Sequence, residues 1–449
     1  MGLFDTVASV GMPMSSNTTS KVGAAMSSVE YMMNDRLTSY LETRPQELAF
    51  AEGAVAGADP APGKYDGHSS WGGKLEIDHA VEEVRHFIAA HEIRNSFPAD
   101  SISVFRSEKI TKPANFYETV YPGVHSDVGG SYAPGEGARS DLRPEGLGLV
   151  PLIHMYKYAV HHGVPLLPVM SWTNRNKEDF EISKDLISSY NYYMKKIGSG
   201  STIGDLLNKH IGLYLAWRFR SIKMKLAGNK EEAERISKQR DVFSRGERSI
   251  DEEIANLETS ESRATEVLNS LISRRAAQTQ NAIRLSGAHP ESEISYHDIQ
   301  LARERRQAAH HAVLDARARK LAQPNMDQLQ NMLSLYDAQL MKDVKAIREA
   351  CSQRQVFGSS VAYKRMKDLR PHYRYLVEAY ENEFEKNQGL KDDTVIRFFD
   401  NYVHDSLAGF AGDATLPSDP RVVYLGDDKK YEYAYRSGED SGEKAQKIC

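Results

Sequence analysis

The sequence predicts an α/β protein whose mixed core is joined to a large, mainly helical domain, inserted or appended. Short β-prone runs alternate with helical periodicity over roughly the first 170 residues, the pattern of an α/β core. From about residue 175 to 390 the chain becomes long, charged and alanine-bearing, as in helices with wide solvated faces. Mixed character then returns. The organisation expected is a core over residues 1–172, a long-helix domain over 173–390 and a return to the core over 391–449.

Taken in order, Leu3 to Val10 reads as the end of a buried strand entering a loop. Residues 53–73, "GAVAGADPAPGKYDGHSSWGG", read as a Gly/Pro-rich loop or insertion. "IDHAVEEVRHFIAAHEIR" places Ile77, Val81, Val84 and Ile88 at helical spacing, which predicts a helix with His91 as a satisfied core histidine. "SISVFR" and "FYETVYPG" are strand candidates from their β-branched and aromatic content. A helix follows, starting near Pro151 and closed by Gly163. "RVVYLGDDKKYEYAYR" predicts a hairpin turning at Gly426-Asp427-Asp428.

Composition narrows the function classes. The hydrophobic share of 40% and charged share of 27% are those of a globular chain, and the formal charge of −5 gives no basic footprint for nucleic acid. Two cysteines, Cys351 and Cys449, exclude a disulfide framework and a cysteine-rich zinc module. No run approaches the roughly 18 apolar residues of a spanning helix, and the N-terminus lacks the pattern of a signal peptide.

The chemistry concentrates in "YPGVHSDVGGSY". His125 lies just past a predicted strand, where open α/β sheets gather their catalytic groups, and Asp5 lies at the end of another. An imidazole oriented by a buried carboxylate is the general-base unit that activates a hydroxyl. Asp127, two residues on, suits positioning of the loop, and Gly129 and Gly130 permit positive φ or close backbone approach. An ordinary turn or cap accounts equally for Asp5, and a structural or exposed histidine for His125. The H-x-D spacing has no accompanying His/Cys cluster, so neither a metal nor an organic cofactor is implied. "NYVHDSLAGF" supplies His404, the alternative candidate for the base or else a docking residue. "LLNKHIGLYLAWRFRSIKMKLAG" interleaves aromatics with cations, which suits a helix at a lipid interface or one packed beneath the helical domain.

"GLFDTVAS" followed by "GVHSDVGGSY" resembles the paired signature of the DUF2235 family, whose bacterial members include the Tle1-type phospholipase effectors of type VI secretion systems. "HEIRNSF", "RPEGLGLVPLIHMYKYAVHHGVPL" and "NYVHDSLAGF" extend the resemblance over most of residues 1–170 and a block near 400. It implies an α/β-hydrolase core with a Ser-Asp-His triad in that chain order, with Asp5 as the acid and His125 as the base. The family's nucleophile sits in a G-x-S-x-G elbow upstream of the "FDTV" strand, and this sequence contains no such motif. The expectation is therefore the C-terminal portion of a hydrolase, incomplete at the N-terminus, which hydrolyses little unless the missing serine is supplied. The resemblance also implies an antibacterial, lipid-degrading toxin acting on membrane phospholipid. It would be secreted by a type VI system into the target-cell periplasm, with a secretion-spike component and an immunity protein as partners. A non-catalytic interaction protein that keeps a hydrolase remnant is the alternative.

Overall fold

The computed structural model describes residues 1–6, 77–93, 97, 99–106, 109–130, 132–200, 203–286, 294–322, 325–351, 353–356, 359–362, 371–405 and 423–426. Helix dominates, around a small parallel sheet. Strands β1 (Gly2–Phe4), β2 (Val84–Ala89) and β5 (Phe116–Tyr121) pair in the order β1-β2-β5, with Leu3 opposite His86 and Phe87 opposite Thr119. A second sheet joins β3 (Ala99–Arg106) to β4 (Lys109–Thr111) antiparallel and to β8 (Val423–Gly426) parallel. Strands β6 (Gln353–Val356) and β7 (Ser359–Ala362) form a separate antiparallel pair.

β2 overturns the helix expected over Ile77 to Arg94. Val84, Phe87, Ile88 and Ala89 are all buried, whereas Ile77 and Val81 are only half-buried. A parallel strand covered on both faces presents a nearly continuous apolar run. "FIAA" is such a run, and the helical spacing of four apolar residues was coincidental. His91 is nonetheless a core residue, 2% exposed and hydrogen-bonded at both ring nitrogens.

Short helix α1 (His125–Gly129) follows β5, and α2 (Leu149–His161) lies where the proline-started helix was expected. Next come α3 (Asn174–Asp179), α4 (Lys184–Ile197) and α5 (Ile203–Leu226). α6 (Lys230–Ser286) has 57 residues, which at 1.5 Å per residue spans about 85 Å. α7 (Tyr296–Ala322) runs back along it, since rising α7 positions meet falling α6 positions: His310 pairs with Glu261, Arg317 with Glu258, Arg319 with Glu253. Helices α8 (Met326–Cys351), α9 (Pro371–Phe384) and α10 (Asp393–Asn401) complete the described α-helices.

The interfacial reading of Leu206 to Gly228 gives way to burial. In α5, Leu207, Tyr214, Trp217 and Phe219 are at most 5% exposed, and Arg218 is 3% exposed between Asp337 and Asp405. A desolvated arginine with two carboxylate partners belongs to a protein interior, not a headgroup layer. No described helix is long and apolar enough to cross a membrane. One hydrophobic cluster runs from Phe87, Ala89 and Tyr121 through Tyr193 and Trp217 to Phe398 and Phe399, so the sheet and the helices share their packing.

Of the predicted hairpin, Val423–Gly426 is β8, and the residues from Asp427 onward lie outside the described residues. So do Val7 to Val10, the 53–73 segment and Arg94.

Candidate active site

All three parallel strands end on the same side, and the carboxyl edge of such a sheet is where α/β proteins place ligands and reacting groups. Asp5 follows β1, His91 and Glu92 follow β2, and His125 follows β5. The structure brings Asp5 and His125 together across 120 residues of sequence: Asp5 Oδ2 lies 2.7 Å from His125 Nδ1. Asp5 is fully buried, while the His125 side chain keeps 26% of its exposure. With Nδ1–H donated to the carboxylate, the lone pair of Nε2 is left to accept a proton. Among the described residues no hydrogen bond reaches that nitrogen.

Asp5 is fixed from β2. Its N–H donates to the Phe87 carbonyl at 2.6 Å, and its Oδ1 accepts the Ala89 N–H at 2.7 Å. The backbone there is left-handed, φ +41°, a region in which Asp is among the tolerated side chains at an expense of about 1 kcal/mol. The His125 turn is fixed just as tightly. Its N–H donates to Glu92 Oε2 at 3.2 Å, and the Phe97 ring packs 4.9 Å from the imidazole. Gly123 has φ +111°, and a Cβ placed there would sit 2.4 Å from Asp127 Cβ, so only glycine fits ahead of the histidine.

Beneath this turn lies a buried relay. Gly123 N–H donates to His91 Nδ1 at 2.9 Å; the other nitrogen lies 3.2 Å from the Tyr193 hydroxyl, itself 2.9 Å from His210 Nδ1. Burial lowers His91 to about 3, so it is neutral at ordinary pH and donates Nε2–H to Tyr193. Burial pushes His210 well down and Tyr193 well up, which keeps both neutral as well.

Asp127 and His404 form a second pair, not a part of the first. Asp127 Oδ1 lies 2.6 Å from His404 Nδ1, both side chains are at most 2% exposed, and His404 Nε2 donates to the Glu136 carbonyl at 3.0 Å. Asp127 Oδ2 accepts the N–H groups of Val124 and His404. Tyr132 stacks on the His404 ring at 3.7 Å. Both nitrogens of His404 are thus occupied, and the pair fastens the segment just after α10 to the turn that carries His125. Gly130 has φ +75°, matching the chain reversal that ends α1, while Gly129 has open space around it.

The sequence reading did not single out His86 or Glu118. Glu118 did leave a signal, as a lone charge inside the β-prone run "FYETVY". Among the described residues no group of three or more His, Cys, Asp or Glu side chains is arranged to hold a metal ion.

A buried carboxylate holding a half-exposed imidazole at the carboxyl edge of a parallel sheet is an arrangement suited to general-base chemistry. Residues 1–158 match the family described as "T6SS, Phospholipase effector Tle1-like, catalytic domain". A crystal structure of an uncharacterized protein from Pseudomonas aeruginosa is similar at 19% identity with a TM-score of 0.47, over 88% of this chain. The chain spans 55% of the length of that protein. No curated protein matches.

Proposed function

We propose that this chain carries the acid and base of a serine carboxylic ester hydrolase acting on membrane phospholipid, built on an α/β-hydrolase core. The observation that supports it most is the 2.7 Å contact between Asp5 and His125 at the sheet's carboxyl edge. In this reading a serine borne by a segment outside this sequence faces His125 Nε2. Nε2 takes the serine proton as Oγ bonds to the ester carbonyl carbon, and Asp5 stabilises the resulting imidazolium. The ester C–O bond then breaks, the alcohol leaves with the proton from Nε2, and water releases the fatty acid by the same steps. His404, saturated at both nitrogens, is assigned the loop rather than the base. Export by a type VI system, carriage on a spike component and neutralisation by an immunity protein complete the proposal, on the strength of the family.

Co-expression with a segment carrying a G-x-S-x-G serine tests the reading. Hydrolysis of phospholipid vesicles is expected only in the reconstituted protein, with loss on His125→Ala. Equal hydrolysis by the lone chain, or indifference to His125→Ala, would overturn it. Labelling of the reconstituted serine by a phosphonate separates this from a non-catalytic interaction protein, which does not react.

A further inference from the structure

A third histidine–carboxylate pair lies beneath β1, in none of the roles described so far. His86 on β2 is fully buried, and Glu118 opposite it on β5 has 3% of its side chain exposed. His86 Nδ1 lies 3.3 Å from Glu118 Oε1, and His86 Nε2 accepts the backbone N–H of Thr6 at 3.2 Å. Glu118 is held in turn by Ser101 Oγ at 2.9 Å, the Ile102 N–H at 2.8 Å and Ser103 Oγ at 2.9 Å. Burial alone would raise the Glu118 carboxyl, but the hydrogen bond from His86 and the donors from β3 outweigh it and hold it below the usual range.

The geometry fixes the tautomer of His86. An Nε2 that accepts from Thr6 carries no proton, so the ring proton sits on Nδ1 and points at Glu118. Reversing the tautomer would set Nε2–H against the Thr6 N–H. The direction of that N–H is set by the ψ angle of Asp5, the residue held in a left-handed conformation. We propose that Glu118 and His86 are positioning residues that lock the Asp5–Thr6 peptide and so aim the Asp5 carboxylate at His125. The role assigned to Asp5 rests on the hydrolase reading, but the lock itself is a statement about geometry. The Ala89 N–H also holds Asp5 Oδ1, and the bonds from Asp5 N–H to Phe87 and from Asp100 N–H to the Thr6 carbonyl hold the chain, but none of these three chooses the orientation of the Thr6 N–H.

NMR of the full chain labelled with 15N-histidine tests it. Wild type is expected to show His86 as the Nδ1–H tautomer and a protected Nδ1–H on His125. His86→Leu removes the acceptor and should speed exchange of the His125 Nδ1 proton roughly fivefold to tenfold, the size of one lost hydrogen bond. His86→Gln, whose amide oxygen reaches the place of Nε2, should restore most of the protection. Equal exchange in His86→Leu and wild type would overturn the proposal, as would equal loss in the Leu and Gln variants. Should His86→Leu not fold, the wild-type ring decides alone: a proton on Nε2 of His86 rules the lock out. In the reconstituted enzyme, His86→Leu should lower kcat with KM unchanged. If the NMR effect appears but no reconstituted activity is found, the lock survives and the hydrolase reading fails.

Discussion

Two histidine–carboxylate pairs beside the sheet and one in the helical arm have nearly the same length and very different meaning. Asp5–His125 and Asp127–His404 are 2.7 and 2.6 Å, and on the α6–α7 arm His310–Glu261 is 2.8 Å. Distance does not separate them. In the arm the two side chains keep 46% and 26% exposure, so water screens the pair and either partner is free to leave it. In the two pairs beside the sheet the carboxylates are buried and accept backbone N–H groups as well, and of their two histidines it is His125 that keeps a nitrogen open among the described residues. Burial together with the fate of the second ring nitrogen turns an ion pair into a site, a clamp or a surface ornament.

The comparison breaks most easily at Asp5. In the reconstituted enzyme, Asp5→Asn should lower kcat for phospholipid hydrolysis by about 10⁴, because the amide cannot hold the required tautomer. His310→Ala should leave kcat unchanged. Next comes Asp405, 7% exposed between Arg139 and Arg218, with Tyr214 donating to it at 3.0 Å. Asp405→Ala leaves the buried Arg139 without its carboxylate and Arg218 with Asp337 alone, and should lower unfolding free energy by about 3–5 kcal/mol in urea titrations. His404→Ala leaves Asp127 buried without its main partner and should remove about 1–3 kcal/mol by the same measurement.

Acid should sharpen the contrast. Burial would raise Asp405, but Arg218 and Arg139 hold it below its ordinary value, and Glu118 is likewise depressed. A depressed folded value means that the unfolded chain takes up its protons first. Stability from these groups is therefore complete above about pH 4 and lost as pH falls through the lower folded values. Melting temperature against pH should drop there, and the drop should shrink in Asp405→Asn. The smallest effect belongs to the arm: Arg317→Ala, which removes an exposed pair with Glu258, should shift stability by at most about 1 kcal/mol.

How much of this was legible in the sequence depended on whether the signal was local. The long helices α6 and α7 are visible because charge and alanine content are properties of each segment by itself. β2 was misread because a strand buried on both faces has no period of its own; its neighbours β1 and β5 decide it. That Asp5 and His125 meet was legible because each follows a β-prone run, and the carboxyl edge of a parallel sheet gathers such positions. That Asp127 meets His404, 277 residues away, instead of serving His125, is a fact of tertiary packing that no spacing encodes. His86 was invisible for the same reason, while Glu118 announced itself only as a charge where a strand should have been apolar.

The reach of His404 has a consequence for biosynthesis. The turn that seats His125 is fastened by a residue that leaves the ribosome 277 positions after its partner Asp127. During translation the imidazole is made early and anchored late, so the turn that carries His125 cannot be in final register while most of the polypeptide is still being elongated.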